Sequence, residues 1–195
     1  MTTLLETERL VLRRFGTDDL DELAALHGDP EVMRYIDTGR PQPREVVAAE
    51  VLPAILRGYR ELPEGMGTFA VVGKGDGAFL GWVALRPADS VGLAAGSTEL
   101  GYRFRPAAWG RGYATEAARA VVGYAFDSGT TEAVVATTMA VNAGSRRVMV
   151  KTGLRHVRTF HEEWPDHIEG AEHGDVEYLV TRREWEAQRP TDGRW

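Results

Sequence analysis

Residues 99–129 read ELGYRFRPAAWGRGYATEAARAVVGYAFDSG and predict a strand, a glycine turn and a helix in that order. The alternating run from Glu99 to Phe104 stops at Pro106, and Gly110-Arg111-Gly112 follows it. The helix has one apolar stripe with a 3.6-residue period, formed by Ala114, Ala117, Ala118, Val121, Val122 and Ala125. Such a turn aims unpaired backbone N–H groups and the positive end of a helix dipole at one point, where a phosphate or pyrophosphate binds.

The glycine turn by itself leaves two interpretations open, because most strand–turn–helix junctions with glycines bind nothing. It lacks the Gly-Lys-Ser or Gly-Lys-Thr ending of an NTPase P-loop. A dinucleotide-binding fold needs a third glycine where this chain has Tyr113-Ala114-Thr115. Any phosphate bound at this turn therefore belongs to another kind of ligand.

The run from Trp109 to Ala117, WGRGYATEA, resembles the acetyl-CoA loop of the GCN5-related N-acetyltransferases, the GNAT superfamily. The general pattern of that superfamily is Gln/Arg-x-x-Gly-x-Gly/Ala, which Gly112 and Ala114 match, while Trp109 stands at the Gln/Arg position. The sequence W-G-x-G-Y-A-T-E-A is typical of one branch, the RimJ/RimL-type ribosomal-protein N-acetyltransferases. Two further stretches resemble that branch, TERLVLR at 7–13 and Asn142-x-x-Ser145 followed by KTGL at 151–154.

The resemblance implies a single GNAT domain over residues 1–189, followed by a loose tail at 190–195. The expected fold class is α/β (α+β), with a mixed, mostly antiparallel sheet of about six to seven strands, a central parallel βαβ unit and helices on both faces. Acetyl-CoA is the implied co-substrate, and transfer of its acetyl group to an amine is the implied reaction.

Periodicity and turn signals place the elements along the chain. The predicted strands are 8–15, 68–72, 79–85, 99–105, 133–138, 154–160 and 176–180. The first predicted helix follows an N-cap at Thr17. Further helices are predicted at 31–36, 43 to about 60, 113–127 and 182–188. Strand 99–105, helix 113–127 and strand 133–138 make one right-handed βαβ unit. Asn142 and Ser145 follow its second strand, so they converge with the glycine turn beyond the carboxyl ends of the parallel strands.

The composition excludes several classes of protein. The 195 residues are 43% hydrophobic and 27% charged, with a net charge of −6, which favours a soluble globular domain and disfavours a nucleic-acid surface. We find neither a membrane-spanning run nor a targeting segment, and expect a cytoplasmic location. There is no cysteine, so an acyl-cysteine intermediate is impossible and direct attack by the acceptor is the simplest route. His161-Glu162-Glu163-Trp164 precedes a proline instead of a second histidine, so we expect no metal.

The implied reaction needs a base for the amine, a donor for the carbonyl oxygen and a donor for the leaving thiolate. Glu99 is our candidate base, since it lies on the same side of the strand as Gly101, whose missing side chain leaves room for a ligand. The alternative is a glutamate that is solvated or paired with an arginine. Asp175, Glu177 and His161 compete for the role of base.

A strand N–H freed by a bulge near Gly101 to Phe104 is the expected donor to the carbonyl oxygen. Ser145 is the candidate donor to the thiolate. Many relatives carry a tyrosine further along the next helix, where this chain has residues 148–150, VMV. Ser145 also has a plain alternative role, which is to cap that helix together with Asn142.

Cofactor contacts are expected along both motifs, with Arg111, Arg146, Arg147 or Lys151 meeting the phosphates unless they are solvated surface charges. The residues predicted to contact coenzyme A are Tyr102, Phe104, Trp109, Gly110, Arg111, Gly112, Tyr113, Ala114, Thr115, Asn142, Ser145, Arg146 and Lys151.

The acceptor amine is the least defined part of the prediction. Residues 161–177 contain Glu162, Glu163, Asp166, Glu169, Glu172, Asp175 and Glu177 and neither lysine nor arginine. This segment either attracts a cationic amine or is an ordinary solubilising loop. Small-molecule amine acetylation and protein N-terminal acetylation both stay open, and the non-enzymatic alternative is an acyl-CoA-binding regulatory module. Relatives often dimerise, so a homodimer is a further expectation.

Overall fold

A mixed sheet of eight strands forms the centre of the computed structural model, which describes residues 2–91, 96–129, 131–161 and 168–188. The strands are β1 (Thr3–Glu6), β2 (Leu10–Arg14), β3 (Gly67–Gly73), β4 (Phe79–Pro87), β5 (Thr98–Phe104), β6 (Ala133–Met139), β7 (Arg155–Phe160) and β8 (Asp175–Thr181). Their order is β1-β2-β3-β4-β5-β6-β8-β7. Only β5 and β6 pair in parallel among these neighbours, so the predicted mostly antiparallel sheet with a central βαβ unit is confirmed.

The strand that sequence reasoning missed is β1, which makes eight where about six to seven were expected. It has four residues and pairs with β2 at the edge of the sheet, where no residue of it is fully buried. A short edge strand of this kind leaves too little alternation to be recognised. The neighbouring strand, predicted at 8–15, begins at Leu10 because a turn precedes it, closed by the Thr7 N–H donating to the Leu10 carbonyl at 2.9 Å.

Seven α-helices lie within the described ranges, and none of them is long and apolar enough to cross a membrane. They are α1 (Leu20–His27), α2 (Pro30–Met33), α3 (Arg44–Val46), α4 (Leu52–Glu61), α5 (Tyr113–Asp127), α6 (Ala143–Thr152) and α7 (Arg182–Gln188). A π-helical turn at 47–51 joins α3 to α4, so the predicted helix from 43 to about 60 is nearly continuous. The predicted tail at 190–195 lies outside the described residues.

Two local predictions were wrong. The helix expected at 31–36 ends at Met33, and Asp37 then adopts a left-handed φ of 54°. Thr17 does not cap α1. Instead, the Asp19 carboxylate accepts the Gly16 N–H at 2.8 Å and the Arg13 guanidinium at 2.7 and 2.8 Å. The capping acceptor is thus Asp19 and not Thr17, because Arg13 of β2 holds the Asp19 carboxylate in place.

The sheet separates two buried cores. On one face, which we call the α5 face, the predicted apolar stripe of α5 packs with Leu100 and Phe104 of β5 and with Met149 of α6. On the other, the α1 face, Leu23 of α1 and Leu52 of α4 pack with residues of β3 and β4. Because side chains alternate along a strand, Glu99, Gly101 and Arg103 of β5 lie on the α1 face. The central strand therefore presents different chemistry to the two sides.

Candidate functional site

A cleft of about 1220 Å³ opens where β5 and β6 separate. The two strands pair at Thr98–Val134 and Glu99–Val135, yet β5 continues to Phe104 and β6 to Met139. The walls come from both strands, the turn before α5, the start of α6, and α1, α2 and α4. A ligand in this gap reaches both faces of the sheet.

β5 presents backbone donors to this gap. The Arg105 N–H donates to the Leu80 carbonyl of β4 at 2.9 Å, and β4 and β5 stay in continuous register from Thr98 to Phe104. Because N–H groups alternate sides along an antiparallel ladder, those of Tyr102 and Phe104 point away from β4 and into the gap. The predicted bulge near Gly101 to Phe104 is therefore wrong, since the separation of the strands frees these groups without a bulge.

The glycine turn before α5 forms one wall of the cleft. Gly110 and Gly112 have left-handed φ values of 71° and 82°, which glycine adopts without strain. Gly112 is the N-cap of α5, and the helix has no side-chain cap, so its first N–H groups stay available to an anion. A Cβ on Gly110 would meet nothing within 4 Å. The turn thus has the open, donor-rich form that a pyrophosphate needs.

The N-terminal segment supports this turn through Thr7 and Arg9 of the TERLVLR motif, for which the sequence analysis predicted no role. Glu116, in the first turn of α5, accepts hydrogen bonds from the Thr7 hydroxyl at 2.5 Å, the Arg9 N–H at 3.0 Å and the Arg9 guanidinium at 2.6 Å. Arg9 also donates to the Arg111 carbonyl and lies over the Tyr113 ring. Burial raises the pKa of Glu116, but these hydrogen bonds outweigh it and leave the pKa lowered. The TERLVLR stretch therefore holds the glycine turn in place.

Three residues predicted to contact coenzyme A do not line the cleft, namely Arg111, Tyr113 and Arg146. The Arg111 guanidinium lies over the Tyr113 ring. Arg146 donates to the Tyr178 hydroxyl at 3.2 Å and the Ala140 carbonyl at 2.9 Å, which ties it to β8 and the end of β6. Arg147 and Lys151 do line the cleft and are exposed. The structure thus favours these two as the cations that meet phosphates.

The other predicted coenzyme A contacts all line the cleft, and Asn142, Ser145 and Tyr102 form a linked group among them. The Asn142 side chain accepts a hydrogen bond from the Ser145 N–H at 3.1 Å and so caps α6, which was the alternative role expected for this pair. The Ser145 hydroxyl lies 2.9 Å from the Tyr102 hydroxyl, which also donates to the Ser145 carbonyl. Burial raises the pKa of Tyr102 far above its ordinary value despite the Ser145 hydrogen bond. A protonated phenol of β5 thus stands beside Ser145, although the helical tyrosine of many relatives is missing.

Glu99 lines the cleft on the α1 face and is 8% exposed. Arg86 of β4 donates to it from Nε at 2.9 Å and from Nη2 at 3.3 Å. A Cβ on Gly101 would lie 3.0 Å from Arg86 Nη2, 3.3 Å from Glu99 Oε1 and 3.5 Å from the Trp82 ring. The Arg86–Glu99 ion pair and the indole therefore border the space that Gly101 leaves, and Gly101 itself lines the cleft.

The three competitors for the role of base lie in different settings. Glu177 is buried and accepts from Arg158 at 2.8 and 3.1 Å, but it does not line the cleft. His161 is exposed and also lies outside the cleft lining. Asp175 is buried and lines the cleft. Glu99 and Asp175 are therefore the candidate bases that the fold brings to the cleft.

Arginines of other elements compensate part of the acidic 161–177 segment. Glu169 accepts from Arg34 at 3.0 and 3.1 Å, and Glu177 pairs with Arg158. Glu162, Glu163 and Asp166 lie outside the described residues. Although the segment itself contains no lysine or arginine, counter-charges come from Arg34 at the C-terminus of α2 and from Arg158 of β7.

Comparison with known proteins gives the family. The model of the acetyltransferase (GNAT) domain matches residues 9–155. The chain is 38% identical over 198 residues to the FsC-acetyl coenzyme A-N(2)-transacetylase of Aspergillus fumigatus, which covers 98% of this chain and 83% of that protein.

Two solved structures share the fold. The spermidine N-acetyltransferase of Vibrio cholerae, in complex with CoA and spermine, has a TM-score of 0.73 at 16% identity and covers 92% of this chain and 99% of its own. The ribosomal L7/L12 alpha-N-protein acetyltransferase RimL, in complex with coenzyme A, has a TM-score of 0.73 at 15% identity and covers 92% and 97%. Identities this low show the fold alone. On the family match and the 38% identical relative, the chain belongs to the GNAT acetyltransferase family and is an acetyl-CoA-dependent N-acetyltransferase.

Proposed function

We propose that this enzyme transfers the acetyl group directly to a primary amine of a small molecule while acetyl-CoA and the amine are bound together. The observation that carries the proposal is the gap between β5 and β6, with the glycine turn at one side and Glu99 at the other. Acetyl-CoA supplies the activated acetyl group. The turn before α5, with Arg147 and Lys151, would hold its phosphates, and the Tyr102 and Phe104 N–H groups would meet the carbonyl oxygen.

Glu99, Ser145 and water together account for the protons of this reaction. Glu99 takes one proton from the ammonium form of the acceptor, directly or through a water, which frees the nitrogen lone pair. The nitrogen then bonds to the acetyl carbon, and the carbon–sulfur bond breaks with its electron pair on sulfur. The nitrogen loses a second proton to water. The sulfur gains one from the Ser145 hydroxyl, which lies 2.9 Å from the Tyr102 phenol, and Ser145 regains its proton from water. The products are an amide and the free thiol of coenzyme A.

The relative with 38% identity supports a small-molecule acceptor, because its name describes transfer to a nitrogen designated N(2). The RimJ/RimL-type motif at Trp109–Ala117 supports a second candidate, a protein N-terminus. The two differ in size: a protein N-terminus must enter the cleft as an extended peptide, whereas a small amine can be enclosed. A screen of small amines and N-terminal peptides, with thiol detection of released coenzyme A, distinguishes them.

Glu99→Gln tests the assignment of the base with a matched control. Glu177→Gln removes the same charge from another buried, arginine-paired glutamate of the α1 face that does not line the cleft. We expect Glu99→Gln to lower kcat by about 100-fold with the screened substrate, since a general base contributes about 10²–10⁴-fold. Glu177→Gln should change kcat by less than about threefold. Equal effects of the two substitutions would refute Glu99 as the base.

A melting-temperature assay separates loss of the base from loss of cofactor binding. Saturating acetyl-CoA should raise the Tm of wild type, Glu99→Gln and Glu177→Gln alike, because binding to the folded state stabilises it. If wild type binds acetyl-CoA but releases no thiol with any amine or peptide, the protein acts as an acyl-CoA-binding module and the proposed function fails.

A further inference from the structure

Arg103 is an arginine buried in the part of the cleft that lies on the α1 face with Glu99, and the proposed reaction does not use it. It lies on the α1 face of β5, lines the cleft and is 8% exposed. Its Nη1 contacts the His27 ring nitrogens at 3.0 and 3.2 Å and donates to the Met33 sulfur at 3.2 Å. Its guanidinium carbon lies 5.4 Å from the centre of the Trp82 ring. These neighbours carry no negative charge.

The charge of Arg103 is poorly compensated. Burial and the nearby Arg103 charge lower the pKa of His27 to about 4, so the imidazole is neutral at pH 7. Burial lowers the pKa of Arg103 to about 10, which still leaves it protonated. Arg86 adds a second positive charge, but Glu99 neutralises that one. Within the described ranges, the carboxylate in ion-pair range of Arg103 is Asp37, with 3.8 Å between Nη2 and Oδ2.

Two buried donors in this group have no acceptor. Arg103 Nε and the indole N–H of Trp82 make no hydrogen bond in the described part of the chain. Burying an unpaired polar group is unfavourable, so such a pair of donors in a ligand cleft calls for an acceptor that the described part of the chain does not supply. With Nη1 occupied, the edge of the guanidinium that makes no hydrogen bond in the described part of the chain is the one formed by Nε, which is buried, and Nη2, which lies 3.8 Å from Asp37. That edge binds a carboxylate through two parallel hydrogen bonds.

Asp37 marks where such a carboxylate would come from. It lies after α2, its side chain is 55% exposed, and its φ of 54° is unusual for a residue with a side chain. At 3.8 Å it is too far from Arg103 for a hydrogen bond. A ligand carboxylate that entered from this side would replace Asp37 as the counter-ion and would make the hydrogen bonds that Asp37 does not.

We infer that Arg103 binds a carboxylate of the acceptor, so that the substrate class is an amino acid, an amine that also carries a carboxylate. The inference rests on the proposed function, since it names the acceptor of the same site. Glu99 and Arg103 lie on the same face of β5, with Gly101 between them. The Glu99 carboxylate lies beside Gly101, and Gly101 is two residues, or about 7 Å of strand, from Arg103. One strand thus offers a carboxylate to the ammonium group and a guanidinium to the carboxylate of a single small molecule.

The test uses pairs of acceptors that differ only in the carboxylate. Wild-type enzyme is assayed with α- and ω-amino acids of several chain lengths and with the carboxamide of each. We expect kcat/KM to be at least about tenfold higher for the acid of the best pair, because only the acid can neutralise Arg103. The amine of an α-amino acid amide loses its proton more readily than that of the acid, so basicity cannot produce this preference.

Arg103→Met then removes the guanidinium while keeping an apolar side chain against Trp82. We expect kcat/KM for the acid to fall about 30-fold and that for the amide to change less than about threefold. Arg158→Met, which removes an arginine from the same face outside the cleft, should leave the ratio of acid to amide unchanged. The rise in Tm with acetyl-CoA shows that each variant is folded.

Each result decides between this inference and the proposed function. Equal turnover of acids and amides by wild type, or a preference for amides, overturns the inference and leaves the N-acetyltransferase assignment intact. An equal loss for acid and amide in a folded Arg103→Met variant also overturns it. Should Arg103→Met fail to fold, the wild-type comparison decides alone. Wild type that acetylates no amine contradicts the proposed function itself.

Discussion

The two halves of the cleft are built in different ways. The donor half, around the turn before α5, is made largely of backbone N–H groups from one continuous stretch of chain, residues 102–115. The acceptor half, on the α1 face, is made of side chains from separate segments: His27, Asp37, Trp82, Arg86, Glu99 and Arg103. A backbone site depends on conformation, and a side-chain site depends on which residues the fold brings together. We therefore expect changes in backbone geometry to impair binding in the donor half, and substitutions of single side chains to impair the function of the acceptor half.

Gly112→Glu should produce the largest effect and acts on the donor half alone. Gly112 has a φ of 82° and caps α5, so a side chain there strains the turn and places a carboxylate where a phosphate would bind. We expect the acetyl-CoA-induced rise in Tm to disappear and kcat/KM to fall at least about 100-fold. Calorimetric titration with acetyl-CoA measures the loss of binding directly.

Gly77→Glu is the matched control for this change. Gly77 has a similar φ of 69° in the turn between β3 and β4, and a Cβ there would meet nothing within 4 Å. It introduces comparable backbone strain and the same charge, but it lies outside the cleft lining. Retention of acetyl-CoA binding in Gly77→Glu, with loss in Gly112→Glu, assigns the effect to the site. Normal binding in Gly112→Glu would show that the phosphates lie elsewhere.

Tyr102→Phe should have an intermediate effect where the two halves meet. Loss of the phenol removes the hydroxyl 2.9 Å from the Ser145 hydroxyl, and we expect kcat to fall about tenfold with little change in acetyl-CoA affinity. Ser145→Ala should lower kcat by a similar factor. Since the Tyr102 phenol acts through the Ser145 hydroxyl, the double variant should be only slightly slower than either single one. If the rate losses of the two single variants multiplied in the double variant, as measured by single-turnover kinetics, the two hydroxyls would act separately.

The contrast between the halves explains what could be predicted from the sequence. The 3.6-residue stripe and the glycines of 99–129 are local signals, and they predicted α5 at its observed bounds and the central parallel pair. The Tyr102–Ser145 contact joins residues 43 positions apart, and the Arg103–His27 contact joins residues 76 positions apart. Neither has a local signature. Arg86 pairs with Glu99 because β4 and β5 align them, a register that side-chain periodicity alone does not specify.

Glu116→Gln should have the smallest effect on activity, because it weakens the support of the donor half without touching a ligand. It loses charge-assisted hydrogen bonds with Thr7 and Arg9, which we expect to cost about 1–2 kcal/mol of unfolding free energy and to weaken acetyl-CoA binding about threefold. Chemical denaturation and calorimetric titration measure the two quantities. Glu184→Gln is the matched control, because Glu184 accepts from the hydroxyl and N–H of Thr181 and from Arg155, away from the cleft.

The pH dependence of these two variants sharpens the comparison between support and site. The pKa of Glu116 is lowered from its ordinary 4.5, and that of Glu184 is lowered to about 2. A carboxylate whose pKa is lower in the folded state adds stability that is complete above its unfolded pKa and is lost as the pH falls through the folded value. The stability gap between wild type and each variant should thus be full at pH 6 and shrink below about pH 4.5. Both gaps should narrow with acid, but only Glu116→Gln should bind acetyl-CoA more weakly at pH 7. If Glu184→Gln weakened binding equally, the loss would come from global stability and the N-terminal segment would have no special role in holding the glycine turn.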